Sequence, residues 1–221
     1  MIELDFIMLI MNCKAYKSKA EYQKKTWLKY IPQHIKYYHV IGIEDLEEEY
    51  KFDDNENILY VKNKDDYNSL PHKVIMSYKA IFDNFKFKYL FKTDDDQILV
   101  NNNFFNILSN LLLGKTQKLH YGGFVVNVDR PHISQYNKIH PELPDNIKIN
   151  KTKYCSGRFY FLSYESIKYL IYKKDSIIKE YLEDYAIGYY LHEYFKQNIF
   201  HISTNKFFTD IEKSDYIDNN L

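Results

Sequence analysis

Tyr89-Leu90-Phe91-Lys92-Thr93-Asp94-Asp95-Asp96-Gln97-Ile98-Leu99-Val100-Asn101 is an apolar run that ends in three adjacent carboxylates, and a second apolar run follows at once. Three contiguous acids repel one another, so a fold keeps them at the end of a buried strand only where something cationic offsets their charge. A hard divalent ion fits, because Mg²⁺ and Mn²⁺ prefer carboxylate oxygens and share sites with substrate phosphates. A solvated acidic turn is the plain alternative. Such a turn needs neither Phe91 before it nor Ile98-Leu99-Val100 after it.

Upstream, Leu4–Met11 reads as a fully buried first strand, with Asn12 and Cys13 leaving it at the carboxyl edge, where open α/β sheets bind ligands. Tyr16–Tyr30 reads as a helix stopped by Pro32, with Ala20, Trp27 and Leu28 as core contacts. Ile35–Ile43 and Ile58–Val61 read as strands, separated by Glu44–Glu56, a loop too densely charged to be buried. Ser69 and Pro71 suit the cap and first turn of a helix whose Val74, Ile75, Tyr78, Ile81, Phe82 and Phe85 follow helical spacing.

Downstream, Phe104–Leu113 reads as a helix ending at Gly114. Leu119–Val128 is a strand interrupted by Gly122-Gly123, where a bulge or a close ligand is expected. The long polar stretch Asp129–Lys153 is either functional or disordered. Ser166–Tyr172 is helical, Glu183 and Asp184 open a further helix, and Ile199–Ile202 is a short last strand. From Ser203 onward the polar tail is expected to be loosely held. Strands alternating with helices define an α/β protein, and 221 residues suit one domain over 1–221.

Thirty basic and thirty acidic residues cancel, which argues against a nucleic-acid partner. The 23 Tyr, together with abundant Lys, Asn and Ile, suit an A/T-rich genome, such as that of a large virus or a protist, and carry no functional message. Two cysteines, Cys13 and Cys155, exclude a disulfide framework and leave a single bridge open. Phe6–Met11 is too short, and preceded by the wrong charges, to be a signal peptide, and no apolar run reaches the ~18 residues of a membrane span. A soluble, cytoplasmic chain is expected, in the host cytoplasm if the source is viral. The sequon Asn150-Lys151-Thr152 matters only in a secreted chain.

Phe91-Lys92-Thr93-Asp94-Asp95-Asp96, with Asn101 beyond, resembles the metal-binding motif of the β-1,3-galactosyltransferase, β-1,3-N-acetylglucosaminyltransferase and Fringe family. Further segments resemble that family in the same order. Lys24-Lys25-Thr26-Trp27 is similar to its Arg-x-Thr-Trp, although a solvated helix face is the simpler reading of the two lysines. Asp65, Tyr67, Leu70 and Lys73 match its Asp-x-Tyr-x-Asn-Leu-Thr-x-Lys, with Ser69 and Pro71 departing. Tyr154-Cys155-Ser156-Gly157 matches, with Arg158 where a glycine is common, and Glu183-Asp184-x-x-x-Gly188 resembles its Glu-Asp-Val-x-x-Gly.

The resemblance implies a GT-A-like, Rossmann-like domain with a mixed, mainly parallel central sheet. It implies an inverting, metal-dependent transferase acting on a UDP-sugar donor and a glycan or glycoprotein acceptor. Asp96 would bind Mn²⁺ or Mg²⁺, with His201 as a second ligand, although a lone histidine between apolar residues is commonly a core group and His192 is a rival. Asp94, Asp95, Asp65, Lys73 and Gly157 would face the donor; Arg130, Lys138 and Arg158 would lie toward the acceptor. Asp184 would be the general base, with Glu183 the alternative, since neighbouring helical carboxylates point in different directions. A catalytically silent sugar-nucleotide or glycan-binding module and a metal-dependent phosphohydrolase remain open. A nuclease would want a basic groove, which the charge balance does not suggest.

Overall fold

The computed structural model describes residues 2–212. Strand β1 (Ile2–Met11) runs through the centre, and Phe6 to Ile10 are fully buried on both faces, as only a strand covered by helices on either side allows. Helix α1 (Lys17–Thr26) follows, then β2 (Ile35–Gly42), β3 (Tyr50–Asp53), β4 (Ile58–Val61), α2 (Leu70–Asn84), β5 (Phe85–Asp94) and β6 (Gln97–Leu99). Next come α3 (Phe104–Gly114), β7 (Tyr121–Val128), β8 (His132–Ile133), β9 (Lys148–Ile149) and β10 (Thr152–Ser163). The described chain ends with α4 (Tyr164–Tyr172), α5 (Lys174–Ile177), α6 (Glu183–Tyr190), α7 (Glu193–Lys196), β11 (Phe200–His201) and β12 (Phe208–Asp210).

Eight strands form one mixed sheet in the order β11-β7-β10-β5-β1-β2-β4-β3. Its β5-β1-β2-β4 centre is parallel, whereas β10 runs antiparallel to both β5 and β7. Because successive residues of a strand face opposite sides, β1 divides the core in two. Ile7, Leu9 and Met11 pack under α2, α4 and α6, while Phe6, Met8 and Ile10 pack with Trp27, Phe104 and Phe105 on the other face.

Met11 pairs with Asp94 in register, so β1 and β5 end together and the acid triplet emerges at the carboxyl edge of the sheet. Gln23 of α1 donates to the carbonyls of Asp94 and Gln97, and the Trp27 indole N–H donates to that of Gln97. The turn is therefore held by buried side chains and is no free loop. A register break in β10 between Cys155 and Tyr160, opposite β7, takes Ser156, Gly157 and Arg158 out of the ladder and aims them toward the same edge.

Several expectations change. The charged segment Glu44–Glu56 contains β3, a half-exposed edge strand antiparallel to β4, because Tyr50 and Phe52 reach back to the core. The α2 N-terminus is tied by the Asp66 carboxylate accepting from the Ser69 N–H, and the Ser69 hydroxyl caps nothing. Stretch 129–153 is ordered: β8 pairs β9, and Leu143, Ile147 and Ile149 pack with Val128, Leu182 and Tyr185. Of the tail, residues 208–210 form β12 against β6, with Phe208 buried, and 213–221 lie outside the described residues. The two cysteines are unpaired. No described helix is long and apolar enough to cross a membrane.

Gly122 and Gly123 let β7 pack closely against β10 and β11, and the register break of β10 lies beside Gly123. A Cβ on Gly122 would stand 2.4 Å from the Phe161 ring and 2.6 Å from the Phe200 carbonyl oxygen. Gly122→Ala is expected to cost about 1–3 kcal/mol by overpacking. Gly114→Ala, whose Cβ meets nothing within 4 Å, is expected to be neutral or stabilising by up to ~1 kcal/mol. Thermal melts of the two variants would check the contrast.

Candidate active site

At the carboxyl edge lies an open cleft of about 640 Å³. Its walls are the end of β1 with the following turn, the 65–73 segment entering α2, the acid turn, the β10 bulge and the start of α6. It brings together Asp65, Lys73, Asp94, Asp95, Asp96, Gly157, Arg158, Glu183 and Asp184, nine residues that sequence reasoning had placed on separate motifs.

Lys92 organises them. It lies on β5 two residues before Asp94, its side chain is 1% exposed, and its ammonium donates to Asp94 (2.7 Å), Glu183 (2.8 Å) and the Gly157 carbonyl (3.1 Å). Burial works against the charged amine, but Asp94 and Glu183 outweigh it and hold its pKa above the usual lysine range. Glu183 also accepts from the Tyr160 hydroxyl, which is bonded to that of Tyr78. Both Glu183 oxygens are thus committed inside the protein.

Asp184 is the freer acid. It is half-buried, accepting from the Gly157 N–H (3.1 Å) and its neighbour's Tyr185 N–H (2.7 Å). Burial, reinforced by Glu183, pushes its pKa up to about 6. Asp94 is pushed up to about 7, by burial first and then, against the pull of Lys92, by Asp96 and Glu183. Asp95, which accepts from Lys19 (3.2 Å), is pushed up to about 6, again chiefly by burial. Asp96 accepts from the Gln97 amide and has no salt bridge among the described residues.

Gly157 is where these groups meet. A Cβ there would stand 3.1 Å from the Lys92 nitrogen and 3.2 Å from Asp94 Oδ2, so a side chain would press on the centre of the network. On the far wall, Asp65 accepts from Lys73 (2.9 Å), Gly42 N–H and Lys14 N–H, while Lys73 also donates to the Asn12 carbonyl. Tyr67 stacks on His140 with ring centroids 4.0 Å apart, and Tyr136 and Tyr154 complete that side.

Three expected site residues stay outside. His201 is exposed at the sheet edge, level with Gly123, Tyr160 and Lys92 across β11, β7, β10 and β5. Three inter-strand steps put it about 14 Å from Lys92. Its ring lies against Phe124 and accepts weakly from the Val125 N–H. His192, the rival, caps α7. Arg130 and Lys138 are exposed and absent from the cleft wall; on that segment Tyr136, His140 and Glu142 reach it instead. Lys24 pairs with Glu21 and Glu56 on the surface, and Lys19, one turn earlier, is the cation that reaches the acids. Lys92 itself was open to view as a lone lysine in an apolar run. The distant partners of Lys19 (Asp95) and of Asp210 (Gln97 and Arg158) were not.

The arrangement is an acid turn at the edge of a mixed sheet, facing a helix-borne carboxylate across one cleft. The Galactosyltransferase family matches residues 12–199, so the chain belongs to that family and is a glycosyltransferase. No curated protein matches the sequence. Among solved structures the chain is similar to mouse xyloside xylosyltransferase 1 in its apo form, at 8% identity and TM-score 0.40 over 91% of this chain and 85% of that one. It is also similar to HddC from Yersinia pseudotuberculosis, at 10% identity and TM-score 0.37 over 99% of this chain and 97% of that one.

Replacing Lys92 by Met would strand Asp94 and Glu183, a change expected to cost about 3–5 kcal/mol at neutral pH. The folded pKa of Asp94 already lies above its ordinary 3.8, so folding takes up a proton there and its contribution to stability falls as pH rises from 3.8 through about 7. The loss in Lys92→Met should therefore shrink as pH falls toward 5, and Glu183→Gln added to it should restore part of the stability. Chemical denaturation across that pH range would measure both.

Proposed function

We propose that the chain moves a hexose or N-acetylhexosamine from a UDP-sugar to a hydroxyl of a glycan or glycoprotein acceptor, with inversion and formation of a β-1,3 linkage. The shared cleft carries this reading: Asp94, Asp95 and Asp96 at the tip of β5 and Asp184 at the start of α6 line one cavity, with Asp94 and Asp184 on either side of Gly157. Inversion needs one base on the face opposite the leaving group. With Glu183 held by Lys92 and Tyr160, the supported base is Asp184.

The donor set suits a divalent ion. Eight carboxylates line the cleft against four cationic side chains, so a diphosphate would bind only weakly unless a cation came with it. Among the described residues no three His, Cys, Asp or Glu side chains converge as a ready-made cage. One or two carboxylates, with the shell completed by substrate phosphates and water, is how Mg²⁺ is commonly held. Asp96 would hold Mn²⁺ or Mg²⁺, and Asp94 and Asp95 would face the donor's ribose and sugar. When bound, the ion would offset charge gathering on the departing diphosphate. Asp65 and Lys73, bonded to each other at the far wall, would border the nucleoside end.

In this scheme Asp184 accepts the acceptor's hydroxyl proton as that oxygen attacks the anomeric carbon, and Gly157 N–H holds the carboxylate in place. Asp184→Asn should lower transfer by about 10²–10⁴-fold while UDP binding persists. Because only the ionised carboxylate accepts a proton, transfer should fall as pH drops through about 6. Asp96→Ala should abolish Mn²⁺-dependent stabilisation by UDP-sugars. A transfer assay with a UDP-sugar panel, alongside thermal shifts, checks all three; full activity in Asp184→Asn would overturn the assignment.

A further inference from the structure

The cleft contains a cation that none of the roles above uses. Of its four cationic side chains, Lys92 is 1% exposed, Lys73 5% and Lys19 14%, each bonded to a cleft carboxylate. Arg158 is 28% exposed, and its carboxylate partner is Asp210, which lies on β12 and is not part of the cleft wall. Its guanidinium donates through NH2 to both Asp210 oxygens (2.9 and 3.1 Å) and through NH1 to the Phe208 carbonyl (3.3 Å). Nε donates to no group among the described residues. A guanidinium has five N–H donors in a planar fork, so these bonds hold it in place and leave donors to spare.

The position is as informative as the exposure. The Arg158 carbonyl accepts from the Thr93 hydroxyl, which sets the residue beside the acid turn. One Gln97 amide nitrogen lies 2.8 Å from both Asp96 Oδ1 and Asp210 Oδ1, so Arg158 and Asp96 are joined through Asp210 and Gln97. The guanidinium therefore stands on the acid-turn side of the cleft, where the sequence reading had put it toward the acceptor. Composition points the same way: of the thirty basic residues only Arg130 and Arg158 are arginine. Planar, bidentate recognition of phosphate is what arginine offers and lysine does not.

We infer that Arg158 is a phosphate-binding residue, a protein-borne cation that grips the diphosphate of the nucleotide donor from the wall of the acid turn. This rests on the reading of the cleft as a nucleotide-sugar site and adds to it a binding contribution that does not require the metal. Charge-assisted hydrogen bonds of this kind are the strong ones, and they act on the leaving diphosphate as well as on the bound donor.

The alternative role for Arg158 is a brace that merely fastens β12. The two roles differ in what Asp210 does. UDP binding is measured by calorimetry in excess EDTA and again with Mn²⁺, for the wild type, Arg158→Gly, Arg158→Lys and Asp210→Ala, with a thermal melt of each. The expected result is that Arg158→Gly weakens UDP binding in EDTA by about tenfold or more, the worth of one lost charge-assisted pair. Arg158→Lys should recover only part of that loss. Asp210→Ala, which frees the guanidinium but breaks the fastening, should bind UDP as tightly as the wild type or more so. Equal weakening in Arg158→Gly and Asp210→Ala, or wild-type UDP affinity in a folded Arg158→Gly, overturns the inference. Absence of UDP binding by the wild type in EDTA and with Mn²⁺ alike would instead sink the nucleotide-sugar reading beneath it.

Discussion

A lysine held out of water against two carboxylates is the constraint on which the site depends. Lys92 can be buried only because Asp94, Glu183 and the Gly157 carbonyl accept its three N–H hydrogen bonds, and those partners come from the tip of β5, the start of α6 and the bulge of β10. Ordering one ammonium thus fixes three elements that are remote in sequence. Such a pair does little for net stability compared with apolar packing, but removing one member leaves an uncompensated buried charge. The network therefore acts mainly as a positioning device. It commits Glu183 to the structure and leaves Asp184 the more accessible of the two adjacent acids on α6.

The same logic sorts the acid triplet. Asp94 belongs to Lys92 and Asp95 to Lys19, while among the described residues the Asp96 side chain is bonded only to an amide. Burial and mutual repulsion raise the pKa of Asp94 and Asp95 despite their cations, so keeping all three acids charged at this edge is costly without a further cation. A cleft built in this way favours ligands that bring a cation with them. It is also why one accessible arginine on the wall carries weight out of proportion to its single charge.

Much of this was legible in the chain. Uninterrupted apolar runs marked β1 and β5 as strands buried on both faces, and the acids following Phe91 located the sheet edge that matters. Helical spacing after Leu70 and the paired acids at Glu183 were likewise local signals, and the structure brings both to the cleft. What escaped was decided by partners far away in sequence. His201 lies in a short strand whose place in the sheet depends on pairing with Gly123, and that pairing carries it three strands from the acids. Arg130 and Lys138 sit on a stretch whose buried Leu143, Ile147 and Ile149 turn its aromatic residues, and not its cations, toward the cleft. Strand β12 escaped because its three residues pair with β6 and show no periodicity of their own.

The central claim is that the acid turn and Asp184 grip two ends of one reaction, a nucleotide diphosphate and an incoming hydroxyl. A crystal structure of the protein soaked with UDP and Mn²⁺ tests it most directly. The account predicts the diphosphate between Asp96 and Arg158, with the open end of the cleft toward Asp184 left for the sugar and acceptor. A nucleotide bound elsewhere, or bound here with its phosphates turned away from the 94–96 turn, would contradict it.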